Sequence, residues 1–149
     1  MMGVLADAAL EAGGEIIGVI PSSLVDKEVS HRGLADLRVV SSMHERKALM
    51  AELSDAFIAL PGGYGTLEEF CEVLTWTQLG VHKKACGLLN VDGYYDALLT
   101  LFDYAAAEQF LKPIHRDMVI SDTDSGALIN RLLECQVPAV EKWIGRAQV

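Results

Sequence analysis

One stretch constrains the fold of this chain more than any other: Ala56-Phe57-Ile58-Ala59-Leu60 running into Pro61-Gly62-Gly63-Tyr64-Gly65-Thr66-Leu67-Glu68-Glu69. An uninterrupted apolar run of strand length, closed by a proline and glycines and followed by helical periodicity, predicts a buried parallel strand turning sharply into a helix. Junctions of this kind are where α/β folds bind ligands. The glycines let a ligand approach the backbone, and the amides of Gly63 to Thr66 are expected at the helix start, where unpaired N–H groups and the dipole favour an anion. Phosphate is the natural anion. The stretch lacks the lysine-hydroxyl pair of a Walker A loop, and its glycine spacing differs from the dinucleotide fingerprint G-x-G-x-x-G. A purely structural alternative stands beside this one: Thr66 and Glu69 form T-x-x-E, a capping box in which the glutamate holds the helix start.

The rest of the chain alternates helix and strand. Residues Met2 to Ala12 read as a helix stopped by Gly13-Gly14, and Glu15 to Ile20 as a strand ended by Pro21. Ser22 to Asp36 has no clear period and reads as a loop. Leu37 to Ser41 is a strand, and Ser42-Met43-His44-Glu45 starts a helix over Met43 to Ser54. Counting back along its apolar stripe from Leu53, Met50 and Leu49 places Arg46 on the packed side. A cation in the first turn opposes the helix dipole, so Arg46 and Lys47 either serve a site or snorkel to solvent. After the glycine loop a helix from Leu67 buries Phe70, Cys71 and Leu74 and ends near Leu79-Gly80. Cys86 to Val91 is a strand, Asp92-Gly93 turns into a helix over Tyr95 to Glu108, Met118 to Ser121 is a last strand, and Asp122 to Asp124 cap a helix over Gly126 to Cys135. Pro138 separates a short tail around Trp143. The pattern predicts one α/β domain over residues 1–149, a doubly wound parallel sheet, with the loop after Ile20, the helix start at Met43 and the glycine loop at one edge.

Composition narrows the partners. A net charge of -9 argues against nucleic acid, since polyanion binding needs a basic surface. The longest apolar runs fall well short of the ~20 residues of a membrane span, and the start Met1 to Asp7 makes a poor signal peptide, so a cytoplasmic location is expected. Cys71, Cys86 and Cys135 are scattered and expected to be reduced and mostly buried. Neither they nor His31, His44, His82 and His115 show metal-ligand spacing.

Met43-His44-Glu45-Arg46-Lys47 followed by Pro61 to Glu69 resembles the paired signature of the "lonely guy" proteins, long mislabelled lysine decarboxylases, which release cytokinin bases from their riboside 5'-monophosphates. The similarity extends through Trp76 and Gly87-Leu88-Leu89-Asn90-Val91-Asp92-Gly93-Tyr94-Tyr95 and back to Ala6-Asp7-Ala8-Ala9. The resemblance implies a Rossmann-like fold, and a departure from it: this chain starts inside the helix after the family's first glycine cluster, so a strand-helix-strand unit of roughly 30 residues is expected to be missing.

The resemblance further implies that Arg46 and Glu69 are catalytic, Glu69 as general base or stabiliser of the oxocarbenium-like sugar that glycosidic cleavage passes through. It implies that Gly62, Gly63, Tyr64, Gly65, Thr66, Leu67 and Glu68 hold the nucleotide, chiefly its 5'-phosphate, with Lys47 adding charge, and that Glu28 and Thr75 contact it. It implies no metal or organic cofactor, a nucleoside monophosphate substrate and a homodimer. The expected reaction is hydrolysis of a purine riboside 5'-monophosphate, or AMP, to free base and ribose 5-phosphate. A non-catalytic nucleotide- or cofactor-binding protein of the same fold is the alternative. Decarboxylation is the weakest option, since nothing marks a lysine for pyridoxal phosphate.

Overall fold

A computed structural model of the chain describes residues 2–25 and 34–138, which fall into two compact units, Met1–Ser54 and Asp55–Val149.

In the first unit, α1 (Met2–Glu11) is followed by β1 (Ile17–Pro21), α2 (Ser22–Val25), β2 (Asp36–Val40) and α3 (Met43–Leu53). Gly13 ends α1 because it alone takes the left-handed conformation, φ 79°, without a Cβ penalty. β1 and β2 pair in parallel from Ile17 opposite Asp36 to Pro21 opposite Val40. Pro21 is therefore the last residue of the strand rather than its stop; a residue without an N–H is tolerated in a strand at the edge of a sheet, and among the described residues β1 pairs with β2 alone. The segment read as a loop after Ile20 begins with the short α2. Glu28 and His31 lie outside the described residues, as does Trp143.

The second unit runs β3 (Ala56–Ala59), α4 (Tyr64–Leu79), β4 (Ala85–Leu89), a 3-10 turn (Val91–Gly93), α5 (Asp96–Ala107), α6 (Pro113–Arg116), β5 (Val119–Asp122) and α7 (Ser125–Glu134). The strands form a parallel sheet in the order β3-β4-β5. Central β4 reads as a continuous apolar run because helices cover both of its faces. On one face Leu88, Cys86 and Ala59 pack with Phe70 of α4, Tyr95, and Leu98, Leu99 and Phe102 of α5. On the other, Ala85 and Ile120 pack with Leu128 and Leu132 of α7. Gly87 sets that second spacing: a Cβ there would lie 3.1 Å from both Leu128 Cδ1 and Leu132 Cδ1. Leu88 and Leu128 are wholly buried, each contributing about 1.5–3 kcal/mol by leaving water.

Parallel strands flanked by helices are the α/β architecture that the alternating pattern predicts. Several boundaries shift. α4 starts at Tyr64, three residues before the predicted Leu67, and between the predicted helix ending at Glu108 and the predicted strand at Met118 Pro113 opens the short α6 from its first helical position. Cys71 is exposed and Cys135 half-buried, leaving Cys86 as the buried thiol.

Candidate functional site

The glycine loop leaves β3 at its C-terminal end and enters α4 through Gly63, the N-cap, which makes no side-chain capping bond. The first intrahelical bond is Leu67 N–H to Gly63 O, 3.1 Å. The N–H groups of Tyr64, Gly65 and Thr66 therefore precede any intrahelical acceptor, and the first turn of α4 carries no acidic residue. The capping-box alternative fails on this geometry. With Gly63 as N-cap, Thr66 is the third helical residue, not the cap, and Glu69 is the sixth. Thr66 turns back instead against Gly62, where a Cβ would overlap the threonine hydroxyl.

Two other helix starts show what an occupied end looks like. In α3 the Ser42 hydroxyl accepts from Glu45 N–H at 3.1 Å. Glu45 in turn accepts from Ser41, from its hydroxyl at 2.6 Å and its N–H at 2.7 Å, and these bonds hold its carboxyl below the usual range, the hydroxyl's being the larger effect. The predicted S-x-x-E start is thus present, with the glutamate reaching one residue further back than a capping box requires. In α7 Asp124 accepts from Ala127 N–H at 2.8 Å. The start of α4 has no such side chain.

Tyr64 is almost fully exposed, Glu68 is exposed, and Glu69 is half-buried, three residues from Thr66 and so on the same side of the helix. Leu67 is drawn the other way: its side chain packs in the core and its N–H is used by Gly63. Thr75 lies eleven residues beyond Tyr64, about 16 Å along the helix axis at 1.5 Å per residue. It donates to Cys71 O at 2.7 Å and lines a separate cavity of about 270 Å³ with Cys71, Leu74, Gln78, Phe102 and His115.

Arg46 and Lys47 belong to the first unit, both half-buried on α3. Arg46 does not snorkel: its Nε donates to Val19 O of β1 at 3.1 Å. The side chain is held over the C-terminal half of that strand, as its place on the apolar stripe predicts.

Sequence reasoning missed the groups that hold the glycine loop. Tyr94 donates its hydroxyl to Gly62 O at 2.5 Å and Tyr95 to Leu60 O at 2.6 Å. The two rings meet edge to face, centroids 5.0 Å apart. Asn90 fixes this pair: its Oδ1 accepts from Tyr95 N–H and its Nδ2 donates to Asp96 Oδ1, both at 2.7 Å. The chain turns between them through Asp92 and Gly93 at φ 49° and 73°. Their placement follows from the sheet, since residues following β4 emerge beside the loop following its parallel neighbour β3. Burial pushes the Tyr95 phenol up, with Tyr94 adding a smaller effect, so Tyr95 stays a donor at neutral pH.

Among the described residues no cluster of His, Cys, Asp or Glu is arranged to hold a metal ion, and no helix is long and apolar enough to cross a membrane.

A protein-family model described as "Possible lysine decarboxylase" matches residues 2–132. A probable cytokinin riboside 5'-monophosphate phosphoribohydrolase of Oryza sativa subsp. japonica is 54% identical over 134 residues, 90% of this chain and 59% of the relative. Two cytokinin riboside 5'-monophosphate phosphoribohydrolases of Arabidopsis thaliana are similar: one is 51% identical over 132 residues, 89% of this chain and 58% of the relative. The other is 48% identical over 142 residues, 95% of this chain and 66% of the relative. The chain thus spans less than two thirds of the length of these relatives.

Proposed function

The chain belongs to the family described as possible lysine decarboxylases, and from that membership and the names its relatives carry we propose that it is a nucleoside 5'-monophosphate phosphoribohydrolase. The reaction is hydrolysis of the N-glycosidic bond of a purine riboside 5'-monophosphate, a cytokinin nucleotide or AMP. The observation that carries the reading is the uncapped start of α4: Tyr64, Gly65 and Thr66 offer N–H groups at a helix end without an acidic side chain, the arrangement that favours a phosphate dianion. Gly62 and Gly63 complete the proposed cradle, Glu68 meets the nucleotide away from its phosphate, and Lys47 supplies charge that a chain of net charge -9 must provide locally.

In the proposed chemistry water attacks the ribose C1' as the bond to the base nitrogen breaks. The bonding pair leaves with the base, which gains a proton, and ribose 5-phosphate is released. Glu69 takes the proton from water or stabilises the cationic sugar, work that carboxylates do in glycosidases. Arg46 orients the nucleotide and balances charge, and Glu28 contacts it. A homodimer acting in the cytoplasm is part of the same proposal, checked by the solution mass of the purified chain and by its cellular location.

Incubation with AMP and with isopentenyladenosine monophosphate, with and without Glu69→Gln, tests the reading. Free base from at least one substrate and its loss in Glu69→Gln is the expected result. No base from either nucleotide at high protein concentration overturns it.

A further inference from the structure

The tyrosine pair after β4 is joined to the glycine loop by hydrogen bonds that span 32 and 35 residues of sequence, and the two bonds do different things. Tyr95, 1% exposed, holds Leu60 O. The next peptide nitrogen belongs to Pro61 and has no hydrogen, so this bond anchors the strand end and orients no donor. Tyr94, 53% exposed, holds Gly62 O, and the same peptide unit carries the Gly63 N–H. The described chain has no cis peptide bond. In a trans peptide the carbonyl and the following N–H point in opposite directions across a rigid plane, so fixing Gly62 O toward Tyr94 fixes Gly63 N–H away from it. Gly63 itself does little to restrain that plane: its φ of -90° and ψ of -155° are ordinary extended values, and a Cβ built there meets no atom within 4 Å.

We propose that Tyr94 is a positioning residue for anion recognition: through Gly62 O it sets the Gly62–Gly63 peptide so that Gly63 N–H joins the donors at the start of α4. The inference rests on the phosphate-binding reading above. Tyr94 touches no reacting atom in this role. It acts through the backbone, and the edge-to-face contact of its ring with Tyr95 is kept by a phenylalanine, so the hydroxyl alone is under test.

The variant is Tyr94→Phe in the full chain, titrated calorimetrically with AMP and with adenosine, which lacks the anion. A tenfold loss of AMP affinity with adenosine affinity unchanged is expected, the size of one charge-assisted bond partly lost. A merely structural role would weaken both ligands together, and that result, or unchanged AMP affinity, overturns the inference. A ligand-free measurement separates its failure from that of the phosphate reading. In nitrogen-15 spectra the Gly63 amide resonance is expected to move or broaden in Tyr94→Phe while those of α7 stay fixed. If the parent binds AMP no better than adenosine, the phosphate reading fails, and with it the recognition role. If the Gly63 resonance is unmoved, Tyr94 does not orient that peptide, whatever the parent binds.

Discussion

Gly65→Ala separates the demands of the fold from those of the ligand. Gly65 is the second helical residue of α4, its φ lies outside the left-handed region, and a Cβ built on it meets no heavy atom within 4 Å. The fold therefore has no use for glycine there. Alanine is favoured over glycine by up to about 1 kcal/mol inside a helix, partly by reducing the freedom of the unfolded chain. In the first turn about half of that is expected, a rise of about 1–2 °C in Tm for a chain of this size. The ligand's demand has the opposite sign. Helical Cα–Cβ bonds tilt toward the N-terminus, so the added methyl leans into the space before the free N–H groups and keeps an anion from closing on them. Losing one charge-assisted bond costs about 1.5–3 kcal/mol, roughly tenfold to more than a hundredfold in affinity. Thermal unfolding by circular dichroism and AMP titration on the same preparation measure both. A more stable variant that binds AMP as tightly as the parent would refute the view that this glycine serves ligand approach, and a less stable one would refute the open space assigned to its Cβ.

Gly62→Ala should behave differently, because its Cβ would overlap the Thr66 hydroxyl and lie 2.8 Å from Thr66 Cβ; overpacking of this kind costs about 1–3 kcal/mol, read as a lower urea midpoint at unchanged slope. Tyr95→Phe removes the 2.6 Å bond to Leu60 O and leaves a carbonyl short of its partner, a loss of about 1–2 kcal/mol in the same assay. Burial pushes the Cys86 thiol from 9.0 up to about 11. A raised folded value means its contribution is intact below pH 9 and is lost as pH climbs through about 11, worth about 2–3 kcal/mol. Stability measured from pH 8 to 11 should fall less steeply in Cys86→Ala, and an equal slope in parent and variant would count against that burial effect.

Local signals were legible wherever neighbours in sequence decide the structure. The apolar run Ala56 to Leu60, the serine and glutamate at the start of α3, Asp124 before α7 and Gly80 after α4 each act within one turn of the chain, and each marks its element. Cys71 misled because it follows Phe70 directly: one residue is 100° of helix rotation, enough to carry it off the stripe of Phe70, Val73, Leu74 and Thr77 that faces the sheet. The tyrosine clamp was unreadable for a different reason. Nothing in the sequence of Tyr94 and Tyr95 states that β4 pairs with β3 from Ala56 opposite Ala85 onward, and it is that register which puts their hydroxyls on the loop.

The T-x-x-E pattern shows how a true local rule misleads when the helix start is displaced. Thr66 and Glu69 have capping-box spacing, but glycine can occupy an N-cap almost as well as threonine, and Gly63 takes it three residues earlier. The consequence reaches the chemistry. Had Glu69 been the third residue of the helix, Glu69→Gln would have altered the cap and the site together, and lost activity would have been uninterpretable. As the sixth residue it lies about 7.5 Å from the first along the axis, beyond a capping role. Its replacement by an isosteric amide should leave the helix start as it was. A Glu69→Gln protein with the parent's Tm and no base release would then assign the loss to the carboxylate's charge. A fall in Tm accompanying the lost activity would instead return Glu69 to structure.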